Sequence, residues 1–299
     1  MELTIFDEAS DELSAAAFGW LTEGVAQSDT ASLLDELQSG PRIADSGFAR
    51  LAGSLPRRRT AGSWGVVSIA PQGTFEVRYN PYNERVIPWL KACIDERPES
   101  AEVQVGLFAD DREINEPSIR LSVSFDDDLP DYVKLVFHVE EHGLTDPSIL
   151  QDVHQGLLSA VEWACHRFNV VFGHFSYAHA GGRTELERYI RGPARVPERN
   201  TPNWRDRLRG YSWVTVVSAD VAQRLGGSDA LRETAAFYFV SDLPNGAVLL
   251  QATRWYGEYR GERVEAVNRV LREVLIEGEL RRPAPVPGRA PTHMVLFDT

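Results

Sequence analysis

The side chains best suited to chemistry sit in His174-Phe175-Ser176-Tyr177-Ala178-His179. Two imidazoles this near in sequence are the material of a metal site. The two rings are an odd number of residues apart, so a continuous strand sends them to opposite faces. His138 and His142 share a face only if the chain stays extended, and four residues then hold them about 13 Å apart, too far for one ion. The sequence has no His-Glu-x-x-His, Cys-x-x-Cys or Gly-x-Ser-x-Gly, the spacings that bring zinc ligands or a nucleophile together. Gly181-Gly182-Arg183-Thr184-Glu185 places glycines before a possible helix start, but lacks the lysine and spacing of a phosphate loop. The histidine segment therefore stands as an alternative, an enzyme of an unfamiliar α+β family with a site near His174 and His179. The leading reading has no catalytic residue, no metal and no cofactor.

Two cysteines, Cys93 and Cys165, fall inside expected helices. A reactive thiol needs a base and an electropositive pocket. His166 follows Cys165, but successive helical residues point about 100° apart. Both cysteines read as small buried apolar groups in a reducing compartment.

Two further groups suit recognition. Asp126-Asp127-Asp128-Leu129-Pro130-Asp131 is the densest acidic run, either a solvated turn between strands or an acidic knob for a basic cleft. Arg254-Trp255-Tyr256-Gly257-Glu258-Tyr259-Arg260 combines aromatics with arginine, the composition of an interface core. The candidate partner-binding residues are Asp126, Asp127, Asp128, Asp131, Trp255 and Tyr256.

Charge points the same way. The chain of 299 residues carries a formal charge of −13. Ile94 to Glu162 holds 17 Asp or Glu against 4 Lys or Arg, so this stretch accounts for the whole imbalance. A nucleic-acid binder needs the opposite sign to displace phosphate counterions. A basic protein partner fits. With 43% hydrophobic residues the chain can build a core. It has no apolar run of about 20 residues, and its first eight residues are acidic where a signal peptide is basic. The expectation is a cytoplasmic protein.

The elements that must position these groups read as α+β, a mainly antiparallel sheet with helices packed on one face. Residues 1–60 read as a peripheral helical segment, with short helices at 12–18 and 31–37 and an Arg57–Arg59 triplet taken as solvated surface. Residues 61–190 form a sheet region. It contains a hairpin of 64–69 and 75–79, a helix from Asn83 to about Arg97, and strands at 103–108, 119–125 and 132–139. A helix of 147–168 and a strand of 170–177 follow. In 119–125, Ile119, Leu121, Val123 and Phe125 alternate with polar residues, the mark of a half-buried strand. Residues 191–210 read as a loop or linker. The region 211–280 holds a strand at 212–217, a helix capped by Ser218 and stopped by Gly226-Gly227, a hairpin on Asn245-Gly246, and a final amphipathic helix. Residues 281–299 form a Pro-rich extended tail.

Gly210-Tyr211-Ser212-Trp213, then Ala222-Gln223-Arg224-Leu225-Gly226-Gly227, Leu231, and Leu243-Pro244-Asn245-Gly246-Ala247-Val248-Leu249-Leu250-Gln251, resemble bacterial immunity proteins encoded beside polymorphic or type VI secretion toxins. The resemblance covers about a quarter of the chain and consists of structural punctuation. It implies an intracellular protein that binds and neutralises a cognate toxin by occluding it, without catalysis. A structural subunit of a larger assembly is the remaining alternative.

Overall fold

The computed structural model describes residues 1–27, 63–107, 119–139, 147–176 and 183–279. The expected helix at 31–37, the arginine triplet, His142, His179, Gly181, Gly182 and the tail from 281 lie outside them. The chain divides into two compact units, Ile5–Phe168 and Met1–Thr4 with Asn169–Thr299. The boundary falls inside the first strand, β1 (Glu2–Phe6).

The Ile5–Phe168 unit contains α1 (Ser10–Gln27), β2 (Ser63–Ala70), β3 (Arg78–Pro81), α2 (Ile87–Asp95), β4 (Ser100–Leu107), β5 (Ile119–Phe125), β6 (Tyr132–Val139) and α3 (Pro147–Arg167). Its strands run in the order β3-β2-β4-β5-β6, every neighbour antiparallel. Alternation decides the face. In β5 and β6, Leu121 lies opposite Phe137 and Val123 opposite Leu135, all buried, while the intervening residues are half-buried. Against the buried face packs α1. Its Trp20 is wholly buried, donates its indole N–H to the Val136 carbonyl at 3.1 Å, and stacks on Trp163 of α3. Gly24 lets the helix approach closely, since a Cβ there would lie 2.8 Å from Leu121 Cδ2. The Asn83 side chain accepts from the Arg85 N–H as expected of a cap, but a 3₁₀ turn (Glu84–Val86) precedes α2. The β2–β3 hairpin holds too, with a longer connection that leaves Phe75 fully exposed.

The N-terminal segment is a correction. Residues 1–27 are not peripheral: Leu3, Ile5, Leu13, Ala17, Trp20 and Leu21 are all core. Small residues hid this, because Ala15-Ala16-Ala17 and Gly19 blur the apolar stripe that marks a buried helix.

The other unit contains β7 (Val170–Phe175), α4 (Glu185–Tyr189), α5 (Pro197–Asn200), β8 (Val214–Val217), α6 (Ala219–Arg224), α7 (Gly227–Glu233), β9 (Phe239–Asp242), β10 (Val248–Gln251) and α8 (Glu262–Leu271). Its strand order is β1-β7-β8-β10-β9, with each neighbouring pair from β7 to β9 antiparallel. Every residue of β7, β8 and β10 is buried, which fits their continuous apolar runs. Gly173 in β7 admits Leu3, whose Cδ2 would sit 2.6 Å from an added Cβ. Trp213 is fully buried, donates to the Thr253 carbonyl at 2.8 Å, and meets Phe175 and Tyr256 edge-on.

Residues 191–210 are also a correction. They run within this unit rather than joining two, and bury Pro197, Asn200, Thr201, Leu208 and Arg209. Ser218 caps α6 as expected, accepting from the Val221 N–H. Gly226 ends that helical run with φ 91°, and α7 starts immediately after it. A side chain at Gly226 is strained by that φ and by Ala230, whose Cβ would be 2.8 Å away. Gly226→Ala should therefore lower stability by about 1 kcal/mol or more, and Trp213→Ala by about 3–5 kcal/mol. Urea melts of the two variants check both figures.

Candidate functional site

The acidic run closes the β5–β6 hairpin in the Ile5–Phe168 unit. Its backbone is tied down from several sides. The Asp126 carboxylate accepts from the Asp128 N–H at 3.0 Å, and its carbonyl from the Leu129 N–H at 2.9 Å. The Asp131 carbonyl accepts from the Asp7 N–H at 3.0 Å, and the Arg97 guanidinium donates to the Pro130 carbonyl while lying over Phe125. Asp127, Asp128 and Asp131 are exposed, Asp126 half-buried. No cation pairs with these four carboxylates among the described residues. Among the described residues the turn is thus a hydrogen-bonded backbone carrying carboxylates with no paired cation. The unit around it holds 28 Asp or Glu against 13 Lys or Arg, whereas the other unit holds 16 against 18.

Trp255 and Tyr256 belong to the other unit and differ from each other. Trp255 is half-buried with Arg254 over its ring at 5.2 Å. Tyr256 is buried against Trp213. Tyr256 is therefore a core residue and not a surface for a partner. An aromatic pair beside arginines does not reveal which ring turns inward.

His174 is 1% exposed, with its Nδ1 3.2 Å from Ser176 Oγ. Ser176 is buried as well. Both cysteines are buried, and burial pushes each thiol above its usual pKa, the reverse of activation. Among the described residues no group of three His, Cys, Asp or Glu is placed to hold a metal. No helix there is long and apolar enough to cross a membrane.

The densest buried polar cluster is one the sequence did not nominate. Thr184 caps α4, and Glu187 at its third position accepts from the Thr184 N–H at 2.9 Å and hydroxyl at 3.1 Å, a capping box. The same carboxylate takes Arg209 Nε at 3.0 Å and a second guanidinium nitrogen at 3.2 Å, while Asn200 donates to it at 3.2 Å. Arg209 reaches Glu2 of β1 at 2.9 Å and covers the Phe172 ring at 4.9 Å. Glu2, Glu187 and Arg209 are each at most 2% exposed. Burial works against the Arg209 charge, but the pull of Glu2 and Glu187 outweighs it and raises the guanidinium pKa. Gly210 allows this closeness, since a Cβ there would sit 2.0 Å from the Thr184 hydroxyl. The Thr-x-x-Glu spacing of residues 184–187 was a readable signal for part of the cluster. With every carboxylate engaged and no solvent access, it works as a clamp.

Residues 150–287 match the TsiV family, described as type VI immunity for VRR-NUC. The resemblance to type VI secretion immunity proteins drawn from residues 210–251 holds over this longer segment, which includes Glu187 and Arg209. The solved structure of the Pseudomonas aeruginosa T6SS protein PA0821 is similar with a TM-score of 0.49 and 11% identity, covering 97% of this chain and 76% of that one. No curated protein matches.

Arg209→Met removes the cation and leaves two buried carboxylates facing each other, which should cost about 3–5 kcal/mol at neutral pH. Urea unfolding of parent and variant measures this, and a variant as stable as the parent would show that the clamp does not hold the fold.

Proposed function

We propose that this protein is a cytoplasmic, non-catalytic immunity protein that binds a cognate VRR-NUC nuclease toxin and neutralises it by occlusion. The observation that carries this reading is the family match together with the uncompensated acidic surface of the Ile5–Phe168 unit. A nuclease holds its substrate through cations that replace phosphate counterions. A protein surface with unpaired carboxylates competes for the same cations, and the long-range field speeds encounter. Asp126, Asp127, Asp128 and Asp131 form the acidic knob, and Trp255 supplies an aromatic contact of the kind that dominates interfaces. The enclosure of His174 supports binding over chemistry.

Replacing Asp126, Asp127 and Asp128 together with Asn keeps the size and acceptor oxygens of the turn but removes three charges. Association with a cognate VRR-NUC nuclease should slow about tenfold at low salt, with a flatter dependence on ionic strength. The melting temperature should change little. Stopped-flow association at several salt concentrations measures this, and an unchanged rate at low salt would refute the acidic knob. Trp255→Ala should weaken the complex by about 1–2 kcal/mol without altering stability.

A further inference from the structure

We infer that two copies of this chain pair through β3, the outer strand of the Ile5–Phe168 unit, in an antiparallel ladder centred on Val77. Among the described residues β3 has β2 on one side and no strand on the other. Just after it, the Tyr82 N–H donates to the Gly65 carbonyl at 3.0 Å. Hydrogen-bonded and open pairs alternate along an antiparallel ladder. Arg78 and Asn80 therefore turn their backbone groups to Ile69 and Val67 of β2, while Val77, Tyr79 and Pro81 turn theirs outward. Pro81 agrees with this, since a residue without an N–H suits an edge strand at an outward position. The Glu76 N–H is met by the Thr74 hydroxyl at 3.3 Å. The apolar side chains fall on the odd positions too: Phe75, Val77 and Tyr79 are 108%, 42% and 42% exposed.

The segment Phe75-Glu76-Val77-Arg78-Tyr79 has the same pattern in both directions except for the sign of its charges. A two-fold axis through Val77 uses that pattern, because every contact then occurs twice. Val77 faces Val77 of the second copy, Phe75 faces Tyr79, and Glu76 faces Arg78. Aromatic pairs and opposite charges are the favourable cross-strand partners. Neighbouring registers lose them. An axis through Arg78 sets two guanidinium groups face to face, and one through Tyr79 puts Pro81 opposite Val77, where its missing N–H forfeits a ladder bond. The 28 acidic against 13 basic residues of the unit repel a second copy, but residues 71–82 hold one acid and one base, and salt screens the rest. Charge complementarity thus names a second copy as the occupant. An exposed apolar edge invites open-ended pairing, and a two-fold pair closes both edges at once. Dimer formation through β3 is independent of the toxin-binding reading.

Sedimentation velocity of the full chain in about 0.15 M salt, from about 1 μM to about 1 mM protein, should show a monomer–dimer equilibrium. Glu76→Arg and Arg78→Glu should each weaken the dimer at least about tenfold, since each sets like charges opposite one another twice. The double variant Glu76→Arg/Arg78→Glu restores opposite signs and should dimerise as the parent does. An equimolar mixture of the two single variants should form a heterodimer. Melting temperatures should stay unchanged, because both residues are exposed. A parent that is monomeric throughout, a dimer indifferent to both single variants, or a double variant no tighter than the singles would each overturn the inference. If a charge variant does not fold, Val77→Lys, which places two ammonium groups on the axis, decides in its stead, and a dimer that survives it overturns the inference.

Discussion

The guanidinium of Arg209 is the constraint on which the Met1–Thr4 and Asn169–Thr299 unit depends. It ties Glu2 of β1 and Glu187 at the start of α4 to one guanidinium that also lies over the Phe172 ring of β7, the sheet neighbour of β1. An ion pair taken out of water is not by itself a source of stability, because desolvation consumes much of the Coulombic gain. Its value lies in specificity. Once Glu187 is buried, only an arrangement that brings Arg209 to it avoids a naked charge, so the irregular run from 191 to 209 has one acceptable path. Gly210 and Thr184 show how tight that path is. Parallel bridging of Leu208 to Leu275 secures the chain just before the arginine.

The Ile5–Phe168 unit is organised by a different force. Its buried face is apolar and its order comes from alternation along β5 and β6, with Trp20 covering the sheet and tethering one carbonyl of it. No buried ion cluster of the Arg209 kind organises its described residues. Its described ion pairs, such as Lys91–Asp95 and Arg167–Glu23, lie at the surface. One unit thus uses charge internally to fix a chain path, and the other uses it externally.

How legible each was in the sequence follows from this difference. Ile119–Phe125 and Tyr132–Val139 were read to the residue, because a strand buried on one face writes its period directly into residue type. The helix at Pro147–Arg167 was read almost as well, its apolar stripe being a local signal. The clamp was not legible. Glu2 and Arg209 are 207 residues apart, and charged residues are by default assigned to the surface. Only the Thr184-to-Glu187 spacing was local, and it predicts a helix start without predicting a buried counter-ion. The same limit separates Trp255 from Tyr256, neighbours of like chemistry whose burial is settled by Trp213.

The acidic turn completes the argument about function because its backbone needs nothing from a partner. The carbonyls of Asp126, Leu129, Pro130 and Asp131 all accept from within the unit. What remains for recognition is side-chain charge on a frame already in place. A frame ordered before binding loses little conformational entropy when the complex forms. Self-repulsion among the carboxylates opposes folding, and the hydrogen bonds of the turn hold them together nonetheless. On the proposed toxin-binding reading, such a surface discriminates by the sign and spacing of charge.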